Sequence, residues 1–112
     1  MKITLDMPPS ANRYWRIGNN RIYRSDEAVN YRAYAGLICA TAGIEPLDGN
    51  VRVRIDVYRP AKRGDLDNRV KIALDCLQGY AYHNDAQIVE IYARRYDDPS
   101  NPRVEITVEA MA

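Results

Sequence analysis

The clearest structural signal in the chain is a strict alternation of apolar and polar residues over 51–58. One set is Val51, Val53, Ile55 and Val57, and the other is Arg52, Arg54, Asp56 and Tyr58. Because successive side chains of a strand point to opposite faces, the pattern predicts a strand that is buried on one side. A sheet with one buried face needs a second layer of structure against it.

Three further segments are predicted to be strands. They lie at 2–7, 88–96 and 103–109, and each combines apolar residues with bounding turn residues. The last two are separated by a turn rich in proline, asparagine and aspartate. We therefore expect the final strand to pair antiparallel with the strand before it.

Two segments show helical periodicity. The first is predicted at about 26–42, with Ser25 as its N-cap and Gly43 as its end. Its apolar stripe is expected to form the core face. The residues at helical spacing are Val29, Ala33, Leu37 and Ala40, and the stripe is widened by Tyr31, Tyr34 and Ile38. If this helix is apolar on two sides, the second side would face a partner subunit. The second helix is predicted at about 67–78.

An aromatic and basic hairpin is predicted before the first helix. The turn sequence Gly18-Asn19-Asn20 separates the runs 12–16 and 21–24. The runs carry the cations Arg13, Arg16, Arg21 and Arg24 among tyrosine and tryptophan rings. One interpretation is a DNA-contact loop, with guanidinium groups on phosphates and rings near bases. The other is an ordinary amphipathic hairpin packed on the domain.

The order of elements, β-(hairpin)-α-β-α-β-β, predicts an α+β fold. We expect a single domain over 1–112, with one mixed β-sheet and two α-helices packed on one face. The net charge is only +1, but the basic residues concentrate in 1–34 and 52–72. This uneven distribution indicates a local surface for phosphate.

Several classes of protein are disfavoured by the sequence. No stretch approaches 18 apolar residues and the first 15 residues do not resemble a signal peptide, so we expect no membrane contact and a cytoplasmic protein. Cys39 and Cys76 lie in helical patterns and are expected to be buried, reduced thiols. Zinc is not expected without a Cys/His cluster, and no glycine motif indicates a nucleotide cofactor.

The stretch 59–71 places Asp65 and Asp67 among cations. Those cations are Lys62, Arg63, Arg69 and Lys71. In one interpretation Asp67 caps the helix, Lys71 forms a surface ion pair with Asp67 or Asp75, and Asp65 is a turn residue. In the other, the two carboxylates bind Mg²⁺, which prefers oxygen ligands and needs few from the protein.

Two downstream residues extend the metal interpretation. Asp85 lies in a loop before a strand and could join the carboxylates, while Lys71 could stabilise developing negative charge. His83, the only histidine, lies in a loop and is expected to be a surface residue. Metal-assisted hydrolysis does not require it, because metal-bound water supplies the nucleophile.

The motifs together resemble those of the RusA-type Holliday-junction resolvases. The matching segments are Pro8-Pro-Ser-Ala-Asn-Arg-Tyr14, Arg63-Gly-Asp-Leu-Asp-Asn68 with Lys71, Leu74-Asp-Cys-Leu77 and Asn84-Asp-Ala-Gln-Ile88. Their order and spacing match over nearly the whole chain. Two departures stand out: Gly64 interrupts the basic run before Asp65, and Asn84 stands where many members have aspartate.

The resemblance implies a homodimeric, Mg²⁺-dependent endonuclease that nicks two opposing strands of four-way junction DNA. It implies that Asp65, Asp67 and Asp85 are catalytic and bind Mg²⁺, or Mn²⁺, and that Lys71 is the catalytic lysine. The expected DNA contacts are Arg13, Arg16, Arg21, Arg24, Lys62, Arg63 and Arg69. A non-catalytic branched-DNA-binding module and a metal-dependent nuclease for other branched DNA are the alternatives.

Overall fold

A four-stranded mixed sheet forms one layer of the protein. The computed structural model describes residues 1–60 and 66–111, except for the side chains of Ala11, Asn12 and Asp67. The strands are β1 (Lys2–Asp6), β4 (Val51–Arg59), β5 (Ile88–Asp97) and β6 (Arg103–Ala110). Their order in the sheet is β1-β6-β4-β5, with β4 parallel to β5 and the other neighbours antiparallel.

The remaining elements form a hairpin and a helical layer. A short helix α1 (Ala11–Tyr14) precedes the hairpin of β2 (Trp15–Gly18) and β3 (Arg21–Arg24). The main helices are α2 (Asp26–Thr41) and α3 (Leu66–Leu77). This arrangement confirms the predicted α+β class, with a mixed sheet and two helices.

The sheet has one buried and one open face. The four apolar side chains of β4 are fully buried, together with Val104 and Ile106 of β6, and form the core with the helices. The opposite face carries cross-strand ion pairs, including Arg52 with Glu90 at 2.6 Å. The alternation over 51–58 therefore predicted both the strand and its buried side correctly.

The predicted pairing of the last two strands is wrong. β6 pairs with β1 and β4, whereas β5 is an edge strand that pairs only with β4 among the strands described. The connection after Asp97 crosses the end of β4, where the Asp98 amide donates to the Arg59 carbonyl at 2.9 Å. β6 has three buried apolar residues and takes the interior position, while most of β5 is exposed.

The predicted core face of α2 is wrong in its central stripe, whereas Tyr31, Tyr34 and Ile38 do pack against the core. Val29 and Leu37 are 54% and 66% exposed, and Ala33 and Ala40 are exposed as well. The buried residues of the helix are instead Ala28, Ala35, Gly36 and Cys39. Small residues let α2 approach its neighbours closely, and Gly36 has no room for a methyl group beside the Tyr80 ring. The helix is apolar on both sides, so periodicity alone did not separate the two faces.

Local signals placed the ends of α2 and the turn of the hairpin correctly. The Ser25 hydroxyl accepts from the Ala28 amide at 3.1 Å and caps the helix. Gly43 adopts a φ of 71° beyond the other end. Asn19 and Asn20 have positive φ at the hairpin turn. Residues 12–14 were assigned to the first hairpin run, but they are helical, because the Ser10 carbonyl accepts the Arg13 and Tyr14 amides.

The cysteines and the helices agree with the properties expected from the sequence. Cys39 and Cys76 are buried and unpaired, as predicted. Over residues 1–60 and 66–111, no helix has the length and apolar character needed to cross a membrane.

Candidate active site

Two of the predicted catalytic residues lie in one cleft. Helix α3 contacts β4 and the edge strand β5, and Ile91 of β5 is still 50% exposed. The cleft between α3 and β5 has a volume of about 190 Å³, and its walls are Lys71, Leu74, Asp75, Asp85, Ile88 and Ile91. The fold thus brings Lys71 of α3 beside Asp85, which precedes β5.

The other two predicted catalytic residues are only partly covered by the structure. Asp67 lies in the first turn of α3, one turn before Lys71, which places both on one side of the helix. Its side chain is not described. Asp65 lies outside the described residues, as do the predicted DNA contacts Lys62 and Arg63.

A single 3₁₀ turn (Asp85–Gln87) holds Asp85 at the cleft. The Asn84 side chain accepts from the Ala86 amide at 2.8 Å, and the Gln87 side chain accepts from the Asn84 amide at 3.0 Å. This reciprocal arrangement is a capping box. Gln87 also donates to the carbonyls of Leu47 and Gly49 at 2.8 and 2.7 Å, so the turn is tied to the loop before β4.

Gln78 connects the Asp85 turn to α3. Its side-chain oxygen accepts from the Asp85 amide at 3.1 Å, and its side-chain nitrogen donates to the Asp75 carboxylate at 3.2 Å. One amide therefore links the backbone of Asp85 to a carboxylate on the helix that carries Lys71. The Asp85 carboxylate itself forms no ion pair with the part of the chain that is described.

Asp75 is the centre of a half-buried polar cluster. Arg24 binds its carboxylate with two hydrogen bonds of 2.9 Å, and the Tyr14 hydroxyl donates to the same group. Arg32 adds a charge contact at 3.6 Å. Because Arg24 ends β3 and Tyr14 ends α1, this cluster fixes the base of the hairpin to α3.

The cluster shifts the ionisation of its members. Burial raises the pKa of the Asp75 carboxyl, but the hydrogen bonds from Arg24 and Tyr14 outweigh it, and the pKa lies below its ordinary value. Burial and the hydrogen bond to Asp75 raise the pKa of Tyr14. Burial also raises the pKa of the Cys76 thiol to about 11, so this cysteine stays protonated at neutral pH.

The described part of the cleft offers oxygen donors that suit a divalent cation. Asp85 offers carboxylate oxygens, the donor type that Mg²⁺ prefers. No three acidic, histidine or cysteine side chains among those described form a group that could hold a metal ion. The full predicted ligand set includes Asp65 and Asp67, whose side chains fall outside that description. The oxygen donors present fit Mg²⁺, and the completeness of the set remains a prediction.

The predicted DNA-contact arginines occupy different environments. Arg16 and Arg21 are exposed on the hairpin. Arg13 is exposed and forms an ion pair with Glu27 at 3.1 Å. Arg24 is held by Asp75, and Arg69 donates to the Pro8 carbonyl at 2.7 Å. The last two therefore have structural partners that the sequence pattern did not reveal.

A larger cleft lies away from Lys71 and Asp85. It has a volume of about 480 Å³ and is lined by residues 7–10, Arg13, Glu27, Asn30, Tyr31 and Arg69. Its two guanidinium groups are already engaged, by Glu27 and by the Pro8 carbonyl. We place the candidate active site in the smaller cleft, because that cleft contains the lysine and the exposed carboxylate.

Several residues of the site were not predicted as functional, and His83 was expected to be a surface residue. His83 is exposed and contacts Asp48 at 2.8 Å at the surface. The sequence interpretation missed Asp75, Gln78 and Gln87. The capping-box spacing from Asn84 to Gln87 is readable in the sequence and could have identified Gln87. The Asp75–Gln78 contact follows the i, i+3 spacing of a helix. The contacts of Asp75 with Tyr14 and Arg24 join distant segments, which no local pattern encodes.

Comparison with known proteins agrees with the motifs. Residues 6–109 match the family model described as Endodeoxyribonuclease RusA. The chain is 35% identical over 112 residues to the crossover junction endodeoxyribonuclease RusA of Escherichia coli strain K12, covering 97% of this chain and 93% of that one. It is equally similar to the Shigella sonnei protein of that name and 33% identical to the one from Enterobacteria phage 82. The chain therefore belongs to the RusA endodeoxyribonuclease family.

Proposed function

We propose that this protein is a Mg²⁺-dependent endodeoxyribonuclease that resolves Holliday junctions by paired, symmetric nicks. The observation that carries the proposal is the cleft that both Lys71 and Asp85 line. Lys71 lies on α3, the helix that also contains Asp67. The relatives at 33–35% identity are named as crossover junction endodeoxyribonucleases. Four-way junction DNA is accordingly the proposed substrate.

Asp65, Asp67 and Asp85 are the proposed metal ligands. When bound, Mg²⁺ polarises the scissile phosphate and promotes ionisation of the attacking water, and Mn²⁺ would supply the same chemistry. Asp85 contributes from a turn that Asn84, Gln87 and Gln78 hold in place. Hydrogen-bonded support of this kind orients a ligand before the substrate arrives.

Lys71 is the proposed source of positive charge for the transition state. Its side chain lines the cleft and is exposed, and it forms no ion pair with the described part of the chain. A fixed ammonium group close to the phosphate offsets the negative charge that develops as the bond breaks. The proposed role requires the lysine to remain unpaired with Asp75, which is instead occupied by Arg24.

The hairpin and the start of α3 supply the proposed DNA contacts. Arg16 and Arg21 are exposed on the hairpin, and Arg13 lies just before it. Lys62, Arg63 and Arg69 surround the proposed metal ligands in the sequence. Arg24 and Arg69 are partly buried and bind Asp75 and the Pro8 carbonyl, so we assign them a smaller share of phosphate binding than the exposed arginines.

A homodimer is the proposed assembly. A four-way junction is roughly two-fold symmetric, and two equivalent cuts require two equivalent sites. Each copy of the chain brings Lys71 and Asp85 together in one cleft and would supply one site. The exposed apolar residues Val29 and Leu37 of α2 provide surface that a subunit contact could bury.

The variant Asp67→Asn tests the assignment. We expect it to bind a synthetic four-way junction as the wild type does and to lose at least about 100-fold in nicking rate with Mg²⁺, because one ligand oxygen loses its charge. The matched control is Glu109→Gln, since Glu109 lies on the open face of the sheet opposite α3. This control should nick at the wild-type rate.

Other outcomes would contradict the proposal in distinct ways. Undiminished nicking by Asp67→Asn would remove Asp67 from the site. Junction binding by the wild type without any nicking in Mg²⁺ would indicate a branched-DNA-binding module. Preferential cutting of a flap over a four-way junction would indicate a nuclease for other branched DNA.

A further inference from the structure

The two faces of the β2–β3 hairpin differ sharply in chemistry. The strands are paired so that Ile17 lies opposite Ile22 and Trp15 lies opposite Arg24. These residues share one face of the ribbon, and Arg16, Arg21 and Tyr23 belong to the other. The hairpin therefore has one face with exposed cations and one face whose outer part is apolar.

The apolar part of the hairpin lies in solvent. Ile17 is 81% exposed and Ile22 is 69% exposed, the two highest values among the large exposed apolar side chains of the described chain. Trp15, nearer the base, is 39% exposed. The cost of leaving a pair of isoleucines in water indicates a partner that covers them.

The base of the hairpin is attached to helix α3, which carries Lys71. Arg24 binds Asp75 of α3 through two hydrogen bonds and lies 5.7 Å from the centre of the Trp15 ring. Asp75 also lines the cleft that contains Lys71 and Asp85. The hairpin is thus an arm held at a defined position relative to the proposed site of cleavage.

We propose that this arm recognises the branch point of DNA by placing Ile17 and Ile22 against unstacked bases. This inference rests on the proposed function and adds a determinant of substrate selectivity to it. Apolar side chains such as isoleucine insert between bases at the cost of unstacking them. That cost is smallest where stacking is already interrupted, so insertion favours a branch point over an intact duplex. The cationic face, with Arg16 and Arg21, would follow the adjacent phosphates.

Charge favours DNA over a second copy of this chain as the occupant. Between Arg13 and Arg24 the chain carries four arginines and no acidic residue. Arg13 and Arg24 pair with Glu27 and Asp75, so two arms packed against each other would mainly bring together the exposed Arg16 and Arg21 of both copies, whereas a polyanion complements these cations. The isoleucines are also directly beside the exposed Arg16 and Arg21 in sequence, which suits simultaneous contact with bases and phosphates.

The double variant Ile17→Ser/Ile22→Ser tests the inference. Binding is measured without divalent metal, for a synthetic four-way junction with 2-aminopurine at the branch point and for a duplex of the same sequence. We expect the preference for the junction to fall about tenfold or more and the rise in 2-aminopurine fluorescence to disappear. The dependence of affinity on salt should stay unchanged, because it reports the phosphate contacts.

Two comparisons make the test specific. Ile17→Leu/Ile22→Leu keeps the apolar area and should restore the junction preference. Arg21→Gln should reduce the salt dependence and weaken junction and duplex alike. Circular dichroism and light scattering establish that the serine variant keeps the fold and subunit number of the wild type.

The inference is overturned if the serine variant keeps both the junction preference and the fluorescence change. It is also overturned if junction and duplex affinities fall equally, or if the variant changes subunit number, since the isoleucines would then contact another copy. None of these results affects junction nicking by the wild type in Mg²⁺. A wild type that neither prefers nor nicks junctions would overturn the proposed function together with this inference.

Discussion

At the scale of single residues, side chains to which we assign no catalytic role connect the elements of the candidate site. Asp75 and Gln78 connect the hairpin, the helix α3 and the Asp85 turn through hydrogen bonds of 2.9–3.2 Å. Gln87 holds the same turn to the loop before β4. The positions of Lys71 and Asp85 are therefore set by this supporting network as much as by the strands and helices.

Asp75→Asn is expected to lower stability in a manner that depends on pH. The loss in free energy of unfolding should be about 2 kcal/mol at pH 7, because charged hydrogen bonds to Arg24 are lost. The pKa of Asp75 in the folded state lies below its ordinary value. The ionised carboxylate therefore stabilises the fold fully above the ordinary pKa, and this stabilisation is lost as the pH falls through the lower pKa of the folded state. Urea unfolding of both proteins from pH 7 to pH 2 measures this. A difference that stays constant below about pH 4 would contradict it.

Gln87→Ala is expected to impair nicking while leaving DNA binding intact. The variant loses the hydrogen bonds that the Gln87 side chain accepts from the His83 and Asn84 amides. It also loses those that the side chain donates to the Leu47 and Gly49 carbonyls. With Asp85 less well positioned, the Mg²⁺ concentration for half-maximal nicking should rise about tenfold. A metal titration of junction nicking measures the shift, with metal-free junction affinity as the control. An unchanged Mg²⁺ requirement would show that the turn needs no support from Gln87.

At the scale of elements, the close approach of α2 to the segment after α3 determines the helical layer. A Cβ atom on Gly36 would lie 2.5 Å from the Tyr80 ring atom Cζ. Ala35 and Cys39 are buried beside it, whereas Val29 and Leu37 face solvent. A glycine in mid-helix, normally unfavourable, is thus required by packing.

Gly36→Ala is therefore expected to destabilise the protein by about 1–3 kcal/mol, although alanine favours helix more than glycine does. Denaturant unfolding measures the change. A double-mutant cycle with Tyr80→Leu tests the cause, since the smaller side chain should recover much of the loss. An increase in stability for Gly36→Ala alone would show that Tyr80 moves aside without cost.

Prediction from sequence succeeded for elements and failed for some of their contacts. Alternation and end signals located the strands and helices, because these patterns act within a few residues. They did not reveal that β6 lies between β1 and β4, because strand pairing depends on contacts between segments that are distant in the sequence. They also placed the wrong central stripe on the buried face of α2, whose two sides are both apolar. In the site, the motifs predict Lys71 and Asp85, and helical spacing could have indicated the Asp75–Gln78 contact. The contacts from Asp75 to Arg24 and from Gln78 to the Asp85 amide join separate elements and have no such local signal.

At the scale of the whole molecule, the chain separates a charged, open sheet face from a face on which the helices and candidate site are built. Ion pairs such as Arg52 with Glu90 neutralise much of the open face. The exposed cations Arg16 and Arg21 belong to the hairpin, and Lys71 belongs to the cleft beside α3. This distribution explains how a protein with a net charge of only +1 can present a cationic surface to DNA.

The most direct test of the central claim is strand-specific nicking of a synthetic four-way junction by the wild-type protein, with and without Mg²⁺. Each of the four strands is labelled in turn so that every cut is mapped. We predict nicks at equivalent positions on two opposing strands, only when Mg²⁺ is present, and no comparable cutting of a linear duplex. Metal-independent nicking, cuts without two-fold symmetry, or equal cutting of the duplex would contradict the account.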